Sequence, residues 1–446
     1  SEQTAFTQNL IVETVLYKGE TVFKPPDYEF RFLPVFNLTR VDVEEAGFLK
    51  VDPTASTTRT EGFVGIQGLF VDKHLRNVSE RYDFDSIRVG IQPITADFRG
   101  FLFQDSPFGV RLFGTRNNNI WQYNVGWFRR IEKDTNSGLN DITENNLSDA
   151  LRDDDVFLVN IYRQDFPVLG FTSQLALVHN RNTEGGQRFI DDNGFLTRPA
   201  ALGIQTEREY DVTYLGYNGD GHIGRWNLSV SAYYAFGEET PAVFIDEDSD
   251  ISAAFIAAEL SRDFDWIRGR ASFVYASGDD DPYDDRSTGF DAIFENPLIA
   301  GADTSFWIRQ SVPLIGGGRV ALSGQNGLLN SLRPNKAQGQ SNFTNPGLLL
   351  AGVGADFDIT PKVRASINLN QLWFDDTAVL EAARNQGSIG KSIGQDVSLS
   401  VFYRPFTSQN VIVRVAGSAL LPGSGYKDLF GDATPYSVFA NLILAY

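Results

Sequence analysis

From Tyr28 to Tyr446 the chain divides repeatedly into stretches of roughly ten residues in which apolar and polar side chains alternate. Side chains point to opposite faces of a strand with period two, so each stretch carries one apolar and one polar face. One example places Trp226, Leu228, Val230, Ala232, Tyr234 and Phe236 on one side and Arg225, Asn227, Ser229, Ser231 and Tyr233 on the other. No run of eighteen apolar residues exists, and the mean hydropathy is −0.21, so a helical membrane span is excluded on length. Alternation still permits a membrane span made of strands, provided that the sheet closes and leaves no open edge in hydrocarbon.

Strands are expected at 28–40, 62–72, 82–92, 108–115, 119–131, 156–164, 169–180, 208–217 and 223–237. They continue at 251–260, 265–277, 304–314, 319–326, 347–358, 362–374, 395–405, 410–420 and 436–446. This predicts an all-β, antiparallel up-and-down transmembrane barrel of about eighteen strands, or sixteen if the region 278–346 is loop. The links alternate between short and long, with 73–81 intermediate, as in barrels with short periplasmic turns and long extracellular loops. Residues 1–27 do not alternate cleanly and are broken by Lys24-Pro25-Pro26-Asp27, which predicts an N-terminal periplasmic segment before a barrel spanning 28–446. The last stretch, Tyr436 to Tyr446, ends on an aromatic residue like the strand by which outer-membrane barrels meet their insertion machinery, and its expected partner at closure is the strand beginning at Tyr28.

Composition bears on the compartment, although many cytosolic domains also lack Cys. Absence of Cys suits an oxidising envelope. A start at Ser1-Glu2-Gln3-Thr4 without a signal-peptide pattern, in a chain without Met, reads as a processed, exported terminus. A net charge of −19 argues against a nucleic-acid partner.

The polar faces, turned inward, put Arg31, Arg88, Arg111, Arg130, Arg225, Arg268, Arg270, Arg309, Arg319, Arg364, Arg404 and Arg414 in the lumen. Fewer acids accompany them, chiefly Glu29, Asp211, Asp356 and Asp396. A guanidinium stays charged at physiological pH and offers a planar fork of donors, so such a lining favours anionic solutes. The alternative is that the arginines pair with those acids and only brace the wall. Trp121, Trp127, Trp226, Tyr234, Tyr275, Tyr403, Tyr436 and Tyr446 fall near strand ends on the apolar face, as an interfacial girdle requires. Phe128, Tyr233 and Phe402 point inward, where they either stack on a sugar or pack the wall.

Much of the negative charge lies in loops, at 153–155, at 246–250, and at Asp279, Asp280, Asp281, Asp284 and Asp285. The last group could take Ca²⁺ through clustered carboxylate oxygens, although no EF-hand spacing is present. These loops also suit solvent or contact with lipopolysaccharide. Enzymatic chemistry finds no footing: there is no Cys, no Gly-x-Ser-x-Gly elbow, and the three histidines, His74, His179 and His222, lie in turns or at a strand end.

Several stretches resemble outer-membrane barrels of the alginate-export type: Ile87-Arg-Val-Gly-Ile-Gln92, Thr288-Gly-Phe-Asp-Ala-Ile-Phe-Glu-Asn-Pro297 and Phe306-Trp-Ile-Arg-Gln310. So do Asn345-Pro-Gly-Leu-Leu-Leu350, Thr360-Pro-Lys362 and Tyr403-Arg-Pro405. The resemblance is diffuse and implies a monomeric barrel whose arginine-rich constriction passes an anionic polysaccharide. The expected function is therefore a passive outer-membrane channel for anionic solutes or oligosaccharides. A general diffusion porin is the alternative, as is a structural or adhesive protein with a plugged barrel. Expected partners are outer-membrane lipid and lipopolysaccharide, the insertion machinery and the solute itself.

Overall fold

A computed structural model describes residues 3–21, 24–43, 57–143, 147–186, 188–200, 202–309, 327–406 and 410–445. Among the described residues nineteen strands share one sheet, one of them the two-residue Arg286–Ser287. The others are β1 (Gln3–Ile11), β2 (Thr14–Lys18), β3 (Tyr28–Val43), β4 (Thr58–Asn77), β5 (Phe84–Ile91) and β6 (Phe108–Arg116). Next come β7 (Trp121–Ile131), β8 (Leu151–Arg163), β9 (Phe171–Asn182), β10 (Glu209–Ile223), β11 (Trp226–Thr240) and β12 (Ser249–Phe264). The last six are β13 (Ile267–Ala276), β14 (Leu348–Thr360), β15 (Val363–Trp373), β16 (Ser392–Tyr403), β17 (Val411–Pro422) and β18 (Tyr436–Leu444). From β3 onward each pairs antiparallel with the next, which is the up-and-down order expected.

Local chemistry explains the turns. Asn117, Asn118 and Asn119 all adopt positive φ, a region Asn tolerates better than most residues, and the Asp83 carboxylate accepts the N–H groups of Asn118 and Asn119 at 3.1 Å. Gly224, with φ of 64°, and Arg225 make the two-residue link between β10 and β11. Short turns gather at one end of the sheet and long loops at the other.

Three expectations need correction. Residues before Tyr28 are not a separate segment: β1 and β2 lie end to end along β3, from Gln3↔Val43 to Lys18↔Tyr28. The interruption at Val12-Glu13 breaks the alternation, which is why the pattern does not read as one strand. Both sides of β3 are thus occupied, by β1–β2 and by β4, so it is not the partner of Tyr436–Leu444. Among the described residues β18 pairs only with β17. Finally, β13 pairs directly with β14, Ala276 opposite Leu348, and no strand runs through 304–309, where a one-turn helix, Phe306–Arg309, stands instead. The strand expected at 319–326 lies outside the described residues, as do Arg319 and Tyr446.

Burial follows the pleat. On β10, Tyr214 is fully covered while Leu215 is 57% exposed, and the same contrast runs along the neighbouring strands. The main apolar core lies on the concave side of the sheet: Phe101, Leu102, Phe103, Phe290, Phe294, Phe306, Trp307 and Phe343 from the loops pack against Phe128, Tyr214, Tyr233 and Phe255 from the wall. The convex face instead exposes Leu175, Leu177, Leu215, Ile256, Leu369 and Leu399, as a lipid-facing surface would.

Candidate functional site

The lumen is filled by the loop at 92–107 and by the loop stretches 277–309 and 327–347, which fold inward and bond to the polar faces of the strands. Ala96 O accepts Asn160 Nδ2 at 2.9 Å and Gln174 Nε2 at 2.6 Å, while Asp97 accepts the Tyr233 hydroxyl at 3.1 Å and the Leu102 N–H at 3.0 Å. Phe290 stacks on Phe255 with ring centres 5.1 Å apart, and the Tyr214 hydroxyl donates to Asp291 O at 3.1 Å. Deeper in the wall, the Asp396 carboxylate takes the Ser305 hydroxyl and the N–H of Trp307, which fixes the start of the one-turn helix. Tyr233 and Phe128 are therefore packing residues of the plug and not surfaces for a passing sugar.

Below this plug, toward the short-turn end, a cavity of about 270 Å³ remains. Five arginines line it, Arg99, Arg270, Arg364, Arg404 and Arg414, against three acids, Glu259, Asp303 and Asp356. The strands β13, β15, β16 and β17 contribute four of the arginines, on β16 through the residue just past its end. Arg99 reaches in from the loop at 92–107, donating to Ser229 Oγ at 2.8 Å and to Leu298 O at 3.2 Å. Arg270 donates to Asn368 Oδ1 at 2.6 Å and lies 3.2 Å from Asp356; Arg364 pairs with Asp358 at 2.6 Å. The Arg414 guanidinium sits 4.8 Å above the Phe402 ring and 3.7 Å from Asp303. Several donors here are buried yet bond no acceptor: Arg270 Nε, Arg404 Nε, and Arg414 Nε and Nη2. The guanidinium groups that line the cavity are cationic, planar donors of the kind that anionic oxygens accept from.

A second set of cations lies in the long-loop half, buried and paired. Arg130 bonds Asp154 at 2.9 Å, Arg152 bonds Glu184 at 2.8 Å, Arg198 bonds Glu132 and Arg208 bonds Glu239 at 2.6 Å. In the loop itself Arg333 pairs with Asp291 at 2.7 Å.

Of the twelve arginines expected in the lumen, Arg270, Arg364, Arg404 and Arg414 come together around the cavity. Arg268 is near them but tied to Asp263 at 2.5 Å and half-exposed. Arg88 and Arg111 face each other across β5 and β6; Arg88 chelates Asp72 through two bonds of 2.6 Å and also lies over the Phe70 ring. Arg130 is buried under the plug. Arg225 is not in the lumen: it occupies the exposed hairpin turn, one residue beyond the strand on which alternation had placed it. Arg309 ends the one-turn helix of the loop and belongs to no strand. Among the inward acids, Asp211 faces out instead, 2.7 Å from His179. Arg99, Arg152, Arg198 and Arg208 were missed, because loop residues and strand margins carry no period; only Arg152, inward once β8 is extended to Leu151, had a readable signal.

The acids of 279–285 do not gather into a cation site. Asp281 and Asp284 cap their own turns, accepting Tyr283 N and Arg286 N, while the buried Asp279 carboxylate accepts the Thr288 hydroxyl. Among the described residues no three His, Asp or Glu side chains converge as metal ligands. The girdle aromatics Trp121, Trp226, Tyr234, Tyr403 and Tyr436 all remain exposed on the convex face.

No family model matches the sequence, and no curated protein does. Among solved structures, OccK5 (OpdH) of Pseudomonas aeruginosa aligns over 100% of this chain and 94% of its own, at 10% identity and a TM-score of 0.51. OpdQ of the same organism aligns over 100% and 93% at 10% identity with a TM-score of 0.48, and a BenF-like porin from Pseudomonas fluorescens over 100% and 99% at 10% identity with 0.46. The likeness to OccK5 is one of fold, and together with the convex apolar face it makes this a transmembrane antiparallel β-barrel.

Proposed function

We propose that the protein is a passive outer-membrane channel for anionic solutes or oligosaccharides, of the kind that alginate-export barrels pass. The observation that carries this reading is the cavity at the short-turn end, where five arginines meet three acids and several guanidinium N–H groups bond no acceptor. In a lumen whose walls exclude lipid and much water, that excess of cationic donors lowers the barrier for anions and raises it for cations. Selectivity then comes from charge and hydrogen bonding at this cavity, and passage is limited by the loops above it.

The test is a planar bilayer recording under a salt gradient. A reversal potential of the sign set by chloride flux supports the reading; cation preference, or a wide unselective pore, rejects it in favour of general diffusion. A second reading, a structural or adhesive barrel, rests on a different observation, the apolar core shared by loops and wall across the lumen. Absence of conductance under every condition would favour that one.

A further inference from the structure

Four buried arginines of the long-loop half share an acceptor pattern that their ion pairs do not explain. Besides its carboxylate, each donates to a backbone carbonyl of one short stretch of loop, Ala337–Ser341. Arg130 Nη2 and Arg152 Nη1 both reach Ala337 O at 3.3 Å, and Arg152 Nη2 reaches Gly339 O at 3.4 Å. Arg198 Nη1 reaches Gln338 O at 2.9 Å and Arg208 Nη2 reaches Ser341 O at 2.5 Å. The stretch belongs to no helix or strand. Side chains complete the grip, with Gln340 Nε2 on Asn182 Oδ1 at 2.8 Å and Gln338 Nε2 on Lys133 O at 2.8 Å.

A guanidinium has five N–H donors in a planar fork, and one edge of each fork here is already held by Asp154, Glu184, Glu132 or Glu239. With Lys133 on Asp105 the cluster is neutral in sum, so its remaining edges attract by directed donors and not by net charge. Those edges now face amide carbonyls. A carboxylate adds charge–charge attraction to the bond from the same cationic donors, which a neutral carbonyl cannot. The carbonyl row of Ala337–Ser341 therefore occupies, within the chain, positions that the oxygens of an anionic solute would fill better.

We propose that Ala337–Ser341 is a built-in occupant of an anion-binding row formed by Arg130, Arg152, Arg198 and Arg208, and that a carboxylated solute entering from the long-loop side opens the channel by displacing it. This rests on the channel reading above and adds to it a second, outer site and a gate. Because the guanidinium groups keep their own carboxylate partners throughout, the solute is held weakly enough to move on.

The chain contains no Cys, so introduced thiols are unique. In Ala337→Cys the thiol replaces a methyl group that is 6% exposed, and a water-soluble maleimide labels it only when the stretch lifts. Oligoglucuronate should accelerate labelling about fivefold or more, and neutral maltooligosaccharide should not; equal rates with both sugars overturn the proposal. Asn182→Cys with Gln340→Cys, bridged by a short reducible dithiol crosslinker, pins the stretch to the wall. Anion current should vanish on bridging and return on reduction, and unchanged current in the bridged protein also overturns it. Accelerated labelling without any anion preference in the unbridged protein would instead refute the channel reading and leave the binding row standing.

Discussion

The carboxylate of Asp396, midway along β16, accepts the backbone N–H of Trp307 at 2.8 Å, joining the barrel wall to the deepest turn of the inserted loop. It also takes the Ser305 hydroxyl and the N–H of Phe306 at 3.2 Å, so one wall residue satisfies three donors that have no water to turn to. Asp396→Ala leaves those donors buried without that acceptor. The expected loss is about 2–4 kcal/mol, since each stranded donor costs about 1–3 kcal/mol and the turn relaxes only in part. Denaturant unfolding in detergent measures it, and a midpoint equal to that of the unaltered protein would show that the turn is held by packing alone.

Arg404→Ala combined with Arg414→Ala should bring the anion-to-cation permeability ratio toward one, because both residues line the cavity and hold donors that bond no acceptor. Arg225→Ala, in an exposed turn, should leave the ratio unchanged. Reversal potentials of the two proteins decide between a local lining effect and a response to total charge.

Asp279, in the loop that leaves β13, has its carboxyl pushed up to about 7 by burial, with Asp284 and Asp280 adding repulsion against the hydrogen bonds from Thr288. A carboxyl raised in the folded state favours the docked loop while protonated. Its contribution is complete below the usual carboxylate range and is lost as pH rises through about 7. Proteolytic nicking at 280–285 should therefore be slower at about pH 5 than at about pH 8, and Asp279→Asn should flatten that dependence. A nicking rate equally steep in the variant would assign the effect elsewhere.

Leu215→Arg places a charge on the convex face at mid-strand and should cost about 2–4 kcal/mol when folding into lipid vesicles is measured. Leu169→Arg, in a turn where the side chain is 84% exposed, should stay within about 0.5 kcal/mol. Equal costs at both positions would contradict the lipid-facing assignment of the outer surface.

Most of the wall was legible from alternation, because lipid on one side and a polar, loop-packed lumen on the other impose period two on every residue from Trp226 to Phe236 and on most other strands. The same rule failed where the backbone leaves the pleat. Arg225 was read into a strand that begins one residue later, and β1–β2 went unread because Val12-Glu13 interrupts the period. Arg99 comes from a loop and Arg198 from the short strand Leu196–Arg198 outside the barrel wall, whose positions depend on contacts such as Arg99 with Ser229, distant in the sequence. Phe306-Trp-Ile-Arg309 looked like a strand because its apolar residues suit either environment. Its helical turn is set by Asp396, which no local pattern announces.

Ala276 and Leu348 are partners on a single rung between β13 and β14, so the entire excursion from 277 to 347 leaves and rejoins the wall at the same place. The excursion behaves as a removable cartridge. The staves on either side would stay hydrogen-bonded to each other with a short hairpin in its stead, and a different cartridge could be spliced in without moving a strand. The shape of what fills the lumen and the architecture of the barrel are thereby free to diverge independently, one residing in the insert and the other in the staves.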